Sequence, residues 1–217
     1  MRARARERLI DAAEDLFYRD GFHTVGLDRI LAEVGVTKTT FYNHFPSKQA
    51  LILEVLRTRD QWWRTIFARR LRERAGDDPA AQLRAVFDVL DEFIGADEFN
   101  GCIFVNVAVE FPRAHAPAHR AAAEHKDLMG ALLRDLALRA GARDPIALAE
   151  ELALLMEGSY VTRQVTGNRE AAAIGRRAAA VLIDRQLTGA GALRARPRPE
   201  TRAPRSPDRG ARRRRRS

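Results

Sequence analysis

Cysteine is almost missing from this 217-residue chain: Cys102 is the only one. An internal disulfide is excluded, and so is a zinc site built on several thiolates. Long apolar runs are also missing. Nothing approaches 18 consecutive apolar residues, so no membrane-spanning helix is expected. The opening stretch, MRARARERLIDAAEDLF, passes from basic residues straight into an amphipathic pattern that carries acids. It has no apolar core of a signal peptide, and the expected location is the cytoplasm. No segment alternates at the period of a strand, while Ala, Leu, Arg and Glu abound, so the fold should be all-α. The motifs GxSxG, HExxH, GxGxxG and the P-loop do not occur, which argues against an enzyme. His115 and His119 have the i, i+4 spacing of a metal pair, but Pro117 lies between them and no third ligand is near. Neither a metal nor a cofactor is expected.

The formal charge of +9 suggests a polyanionic partner, but its location matters. Residues 192–217 hold eleven Arg against two acids, which is the whole excess; the first 191 residues carry none. This tail is rich in Arg, Pro, Ala and Gly and poor in apolar mass, the composition of a disordered segment. It is either a non-specific DNA-binding arm acting by counterion release or a solvated extension. Any sequence-specific recognition has to rest on local chemistry elsewhere.

Punctuation divides the rest into helices. Leu9, Ala13, Leu16 and Phe17 share one face of a first helix that ends at Gly21. Leu27, Ile30, Leu31 and Val34 recur at i, i+3, i+4 and i+7 in a short second helix. Gly35-Val36-Thr37 then breaks the pattern. Thr37 is a good N-cap for a third helix through His44, and Pro46 disfavours helical geometry at Phe45. Ser47 can cap a long fourth helix to about Arg74. Further helices are expected at 79–94, 118–140, 145–166 and 169–187, with Pro112 and Pro117 bracketing a connection. The apolar stretch CIFVNVAVEF (102–111) fits a buried strand or a buried helix, and its helical neighbours favour helix.

The second and third helices, joined at Gly35, have the spacing of a helix-turn-helix. Phe41 and Phe45 point one way and anchor the third helix. Lys38, Thr39, Thr40, Tyr42, Asn43 and His44 occupy the remaining arc. From Val34 to Gln49 there is no Asp or Glu, although helices elsewhere mix both signs. Lys and Asn can read base edges in a major groove, and Thr can bond a base or touch a thymine methyl. Tyr42 and Lys48 suit phosphate oxygens.

The run LIDAAEDLFYRDGFHTVGLDRILAEVGVTKTTFYNHFPSKQAL, over about residues 8–56, resembles the N-terminal DNA-binding domain of the TetR family of transcriptional regulators. The most specific part is Gly35-Val36-Thr37-Lys38, Phe41-Tyr42, Phe45, Ser47-Lys48 and Leu51. The resemblance implies a helix-turn-helix domain over 1–46, a helical ligand-binding and dimerisation domain over 47–189 and a tail over 190–217. It implies a homodimeric repressor on a roughly palindromic duplex, released by a small molecule. Lys38 to His44 would lie in the recognition helix, Thr37 at its cap, and Lys48 on a phosphate. The family often has Thr-Ser or Thr-Thr before the second helix, where a hydroxyl touches phosphate. Here Val25-Gly26 stand there, leaving Thr24 to take that contact.

A regulator of this kind needs a cavity. Trp63, Phe67, Phe87, Phe104, Asn106, Glu110, His125, Met156 and Tyr160 are candidates for its lining, although aromatics and Met at helical spacing also suit an ordinary core. Asn106 and Glu110 stand out as polar groups in an apolar run, which must find partners. These could be a ligand, each other or a neighbouring helix. By resemblance the last two helices form the dimer surface, through Leu148, Leu152 and Leu155 on one and Ile174, Ala178, Val181 and Leu182 on the other. Cys102, in an apolar run with no second cysteine, suits an inert core thiol or a target for adducts.

Overall fold

The computed structural model describes residues 2–188; the Arg-rich tail, and the DNA-binding role considered for it, lie outside them. Among the described residues every element is an α-helix. They are α1 (Arg2–Asp20), α2 (Leu27–Val34), α3 (Lys38–Tyr42), α4 (Lys48–Ala75), α5 (Pro79–Ile94), α6 (Ile103–Glu110), α7 (Pro117–Arg139), α8 (Pro145–Thr166) and α9 (Ala171–Leu187). None of them is long and apolar enough to cross a membrane.

Local chemistry accounts for most of these boundaries. Gly35 closes α2 with φ 70° and ψ 41°, a left-handed conformation that costs a residue with a Cβ. The N–H groups of Gly35 and Val36 both donate to Leu31 O, at 2.9 and 3.1 Å, and the chain turns at once into the next helix. The Thr37 hydroxyl accepts from Thr40 N at 3.2 Å, and Ser47 Oγ accepts from Ala50 N at 3.1 Å, so α3 and α4 are both capped as expected. Each cap contributes about 1 kcal/mol. The third helix stops at Tyr42, however, with residues 43–44 in a turn. Phe45 must leave helical geometry ahead of Pro46, and the last turn tightens to let it. Pro112 and Pro117 bracket the connection between α6 and α7 as expected, and Pro117 is itself the first residue of α7, where a missing N–H costs nothing. The apolar stretch 102–111 is a helix, α6, in helical company.

The first three helices close around Phe17, Phe22, Phe41 and Phe45, all buried. The Phe17 and Phe22 rings stack at 4.9 Å and the Phe41 and Phe45 rings lie 5.8 Å apart. Burying each ring contributes about 1.5–3 kcal/mol. Arg6 ties α1 to α4 through Glu54 at 2.7 Å, with its guanidinium 5.4 Å over Phe45. One continuous core runs from this head into the body, where α5 and α7 lie on α4, and α9 lies on both α5 and α8. Gly175 permits the last contact: a Cβ there would stand 2.6 Å from Phe87 Cε1 and 2.8 Å from Ser159 Oγ.

Candidate nucleic-acid interface and body cavity

The two faces of α3 separate as its sequence pattern requires. Phe41 is fully buried and Phe45 nearly so. Lys38, Thr39, Tyr42 and Asn43 are exposed, and Thr40 and His44 are half-buried beside them. Tyr42 is 56% exposed, and its ring meets Phe41 edge-on at 5.2 Å. The phenol is thus pinned at its base and free at its tip. The acid-free arc is not isolated, because Asp28 of α2 reaches Lys38 Nζ at 2.9 Å and raises its pKa by hydrogen bonding and charge. Both groups face solvent, so a phosphate or base edge can replace the carboxylate at little cost. Thr24 is exposed, while the N-cap of α2, Gly26, has no side-chain cap bond.

Lys48 behaves differently from the expectation. Its Nζ donates to Phe22 O at 2.6 Å and stands 5.6 Å over the Phe17 ring. Partial burial lowers its pKa, and the charge of Glu110 opposes the shift. The first turn of α4 abuts the loop after α1, and the long stem reaches inward to that carbonyl. Lys48 therefore fastens the two segments, and its ammonium is engaged with protein.

Asn106 and Glu110, expected in the cavity, lie instead at the junction of head and body. Glu110 Oε1 accepts from Phe22 N at 2.9 Å, Oε2 accepts from His23 N at 2.7 Å, and His23 Nε2 lies 2.9 Å from Glu110 O. The His23 ring lies 4.6 Å from that of Phe111. Gly21 makes room: a Cβ on it would stand 3.2 Å from Glu110 Oε1. Asn106 Nδ2 donates to Asn100 O at 3.0 Å, and Gln164 Nε2 donates to Asn106 Oδ1 at 3.1 Å. Asn100 in turn donates to the Tyr18 hydroxyl and carbonyl, at 2.8 and 2.6 Å. Polar groups in an apolar helix found protein partners, as their burial demands.

Between α4, α7 and α8 lies a cavity of about 430 Å³. Of the expected lining residues, Trp63, His125, Met156 and Tyr160 border it. Phe67 and Phe104 do not. Phe67 supports Trp63 from below, ring on ring at 4.5 Å, and Phe104 stacks on His125 at 3.6 Å. Phe87 is core against α9. The sequence pattern did not reveal Lys126 and Glu157, which form a 2.6 Å ion pair on the cavity wall. Each follows an expected lining residue by one position, but a charged helical residue carries no periodic mark of an inward role. Burial works against the Lys126 charge, but Cys102 and Glu157 overcome it, and its pKa is raised. Cys102 is buried with its Sγ 3.5 Å from Lys126 Nζ.

His125 separates this cavity from a larger, 540 Å³ groove bordered by the charged Arg57, Asp60, Arg120 and Glu124. Its Nδ1 lies 2.7 Å from Asp60 Oδ1. Burial nevertheless pushes its pKa down to about 4. The Asp60 carboxylate acts in the opposite direction but is outweighed, and the charges of Lys126 and of Arg64, which holds Asp60 through bonds of 2.8–3.0 Å, add to the depression. The ring is neutral, Nδ1–H donates to Asp60, and Nε2 carries the lone pair.

The expected dimer residues divide. Leu148 and Leu152 are fully buried in the protomer's own core. Their register on α8 faces inward, and Leu155 and Leu182 are half-buried at its edge. The outward stripe of α8 is Leu154, Gly158, Val161 and Val165, with Leu154 and Val165 about three-quarters exposed (74% and 75%). On α9, Ile174, Ala178 and Val181 are exposed, as expected. Both stripes advance in steps of four and three residues, the spacing of a helix-packing seam.

Known proteins share this architecture. The family model for bacterial regulatory proteins of the TetR family matches residues 9–55, and that for the tetracyclin repressor-like C-terminal domain matches 79–179. The transcriptional activator FasR of Mycolicibacterium smegmatis is 33% identical over 112 residues, which cover 51% of this chain and 50% of that protein. The regulator RutR of Escherichia coli is 42% identical over 52 residues, 24% of each chain. The match thus spans about half the length of the first relative and a quarter of the second. A crystal structure of a TetR-family transcriptional regulator from Streptomyces coelicolor superimposes with a TM-score of 0.79 at 29% identity, covering 85% of this chain and 97% of that one. With residues 9–55 and 79–179 matched by models of one family and the fold shared over 85% of its length, the chain belongs to the TetR family of transcriptional regulators, with a helix-turn-helix DNA-binding head.

Proposed function

We propose that this protein is a cytoplasmic repressor that binds a roughly palindromic DNA site as a homodimer and releases it when a small molecule enters the body. The observation that carries this reading is the division of α3, with Phe41 and Phe45 buried and Lys38, Thr39, Tyr42 and Asn43 exposed without an acid of their own segment among them. Lys38, Thr39, Thr40, Asn43 and His44 face the bases in this reading. Tyr42 and Thr37 hold phosphates, with Thr24 beside them. The domains divide at 46, where Pro46 separates the reading unit from α4. The outward stripes of α8 and α9 are the surface on which a second copy packs. Two-fold pairing is the commonest oligomer, and it makes two heads read a site with matching symmetry.

The test compares the wild type, Tyr42→Phe and Asn43→Ala on the DNA upstream of the protein's own gene and on an unrelated duplex. Tyr42→Phe should weaken both by a similar factor, because phosphate contacts carry no sequence information. Asn43→Ala should weaken the upstream DNA about tenfold more than the unrelated duplex, as loss of a base contact of about 1–3 kcal/mol requires. Unchanged affinity and preference in both variants would remove α3 from the interface. FasR is an activator by name; a reporter that rises, rather than falls, when the protein is expressed would reverse the sign of the proposal.

A further inference from the structure

The cavity between α4, α7 and α8 has two polar groups without protein partners. His125 is 5% exposed and Tyr160 is 7% exposed, so both are more than nine-tenths buried. Nδ1 of His125 is committed to Asp60, but Nε2 has no hydrogen bond among the described residues. The Tyr160 hydroxyl has none either, and its ring is fixed by Phe99, stacked at 6.2 Å. No buried side-chain polar atom in the described chain is sealed off without a partner. Nε2 and the hydroxyl are therefore not sealed off; both residues border this cavity, and His125 also borders the neighbouring groove. Of the charged groups on the wall, Lys126 and Glu157 hold each other at 2.6 Å, and Glu150 is exposed to solvent. The remaining lining is apolar: Trp63, Met129, Met156, Leu133, Ala153 and Leu154.

We infer that this cavity binds an uncharged aromatic molecule bearing a hydroxyl, a phenol in chemical class, whose O–H donates to His125 Nε2 and whose oxygen accepts from Tyr160. The inference rests on the reading of the body as the effector-binding part. A neutral imidazole with its proton fixed toward Asp60 can only accept at Nε2, so the ligand has to bring the donor. A carboxylate would meet that lone pair unfavourably and would compete with Glu157 for Lys126. An ammonium would compete with Lys126 for Glu157. Either would have to displace one partner of the half-buried Lys126–Glu157 pair. An aromatic body matches the wall, where Trp63 lies with Met129 and Met156, residue types whose rings and thioethers favour aromatic contacts. The volume of about 430 Å³ lies in the range that accommodates ligands of two or three rings.

Three probes of one shape and different charge test this: 2-naphthol, naphthalene-2-carboxylate and 2-naphthylmethylammonium. Each is titrated calorimetrically at pH 7 into the full-length protein, His125→Phe and Tyr160→Phe, and the variants are checked for an intact thermal transition. The expected result is naphthol binding at least about tenfold tighter than either ion, weakened about three- to tenfold in each variant, as loss of one hydrogen bond implies. Tyr160→Phe keeps the ring and its packing, so it gives the result even if His125→Phe does not fold. Tighter binding of the carboxylate or of the ammonium overturns the inference, as does binding of none of the three. Naphthol binding that is unchanged in Tyr160→Phe and in a folded His125→Phe overturns it too. Release of bound DNA is scored separately. Selective naphthol binding without DNA release sustains the ligand class and counts against the effector reading; release by an ion and not by naphthol does the reverse.

Discussion

His125 shows how one residue's surroundings set its chemistry. Paired with Asp60 at 2.7 Å, it looks like an imidazolium, yet burial, helped by the charges of Lys126 and Arg64, outweighs Asp60 and holds its pKa down to about 4. In the unfolded chain the same side chain titrates near ~6.5. As pH falls through ~6.5 the unfolded state takes up a proton that the folded state refuses. Stability from this residue is therefore complete above ~6.5, declines from there to about 4, and is constant below. The full shift corresponds to a loss of up to about 3 kcal/mol. Thermal unfolding of the wild type should show a falling melting temperature between pH 7 and 4.5, and His125→Gln should lack that component. An identical pH slope in the variant would mean that the ring is charged in the fold. The sequence placed His125 at the cavity, since a polar residue stood on an apolar helical face. It could not reveal the neutral state, which depends on Asp60 and Arg64 brought from α4.

At the scale of elements, α6 is the link between head and body. Its residue Glu110 accepts two backbone N–H groups from the loop after α1, and Asn106 joins Asn100 to Gln164 of α8. These bonds give the loop between α1 and α2 a place fixed by the body. Hydrogen bonds to a charged group contribute about 1.5–3 kcal/mol each. Glu110→Gln keeps one acceptor and turns the other into a donor facing an N–H. Hydrogen exchange at Phe22 and His23 should rise by tenfold or more in that variant, with α5 and α9 unchanged. Equal protection would mean that the loop is held without the carboxylate. The apolar pattern of 102–111 made α6 legible as buried helix, and the two polar positions were conspicuous in it. Their partners lie more than eighty residues away for Glu110 and on other elements for Asn106, distances that no local pattern encodes. The register of α8 was misjudged for a related reason. A helix with apolar residues nearly all round offers several stripes, and only the packed neighbours decide that Leu148 and Leu152 turn inward while Leu154 and Val161 turn out.

For the whole molecule, charge, cavity and apolar stripe fall on different parts of the chain. The exposed, acid-free face is on α3, the cavity lies between α4, α7 and α8, and the exposed apolar stripes run along α8 and α9. Leu154 belongs both to the seam and to the cavity wall, so a second copy seated on the stripe would also close the cavity mouth. Two heads held at one separation by that seam is the central claim, and footprinting the full-length protein on the DNA upstream of its gene tests it most directly. The expected result is discrete protection of two half-sites on one face of the duplex, an integral number of helical turns apart, and its loss in Val161→Arg with the fold intact. Uniform protection along the fragment, or a footprint unaltered by Val161→Arg, would contradict it.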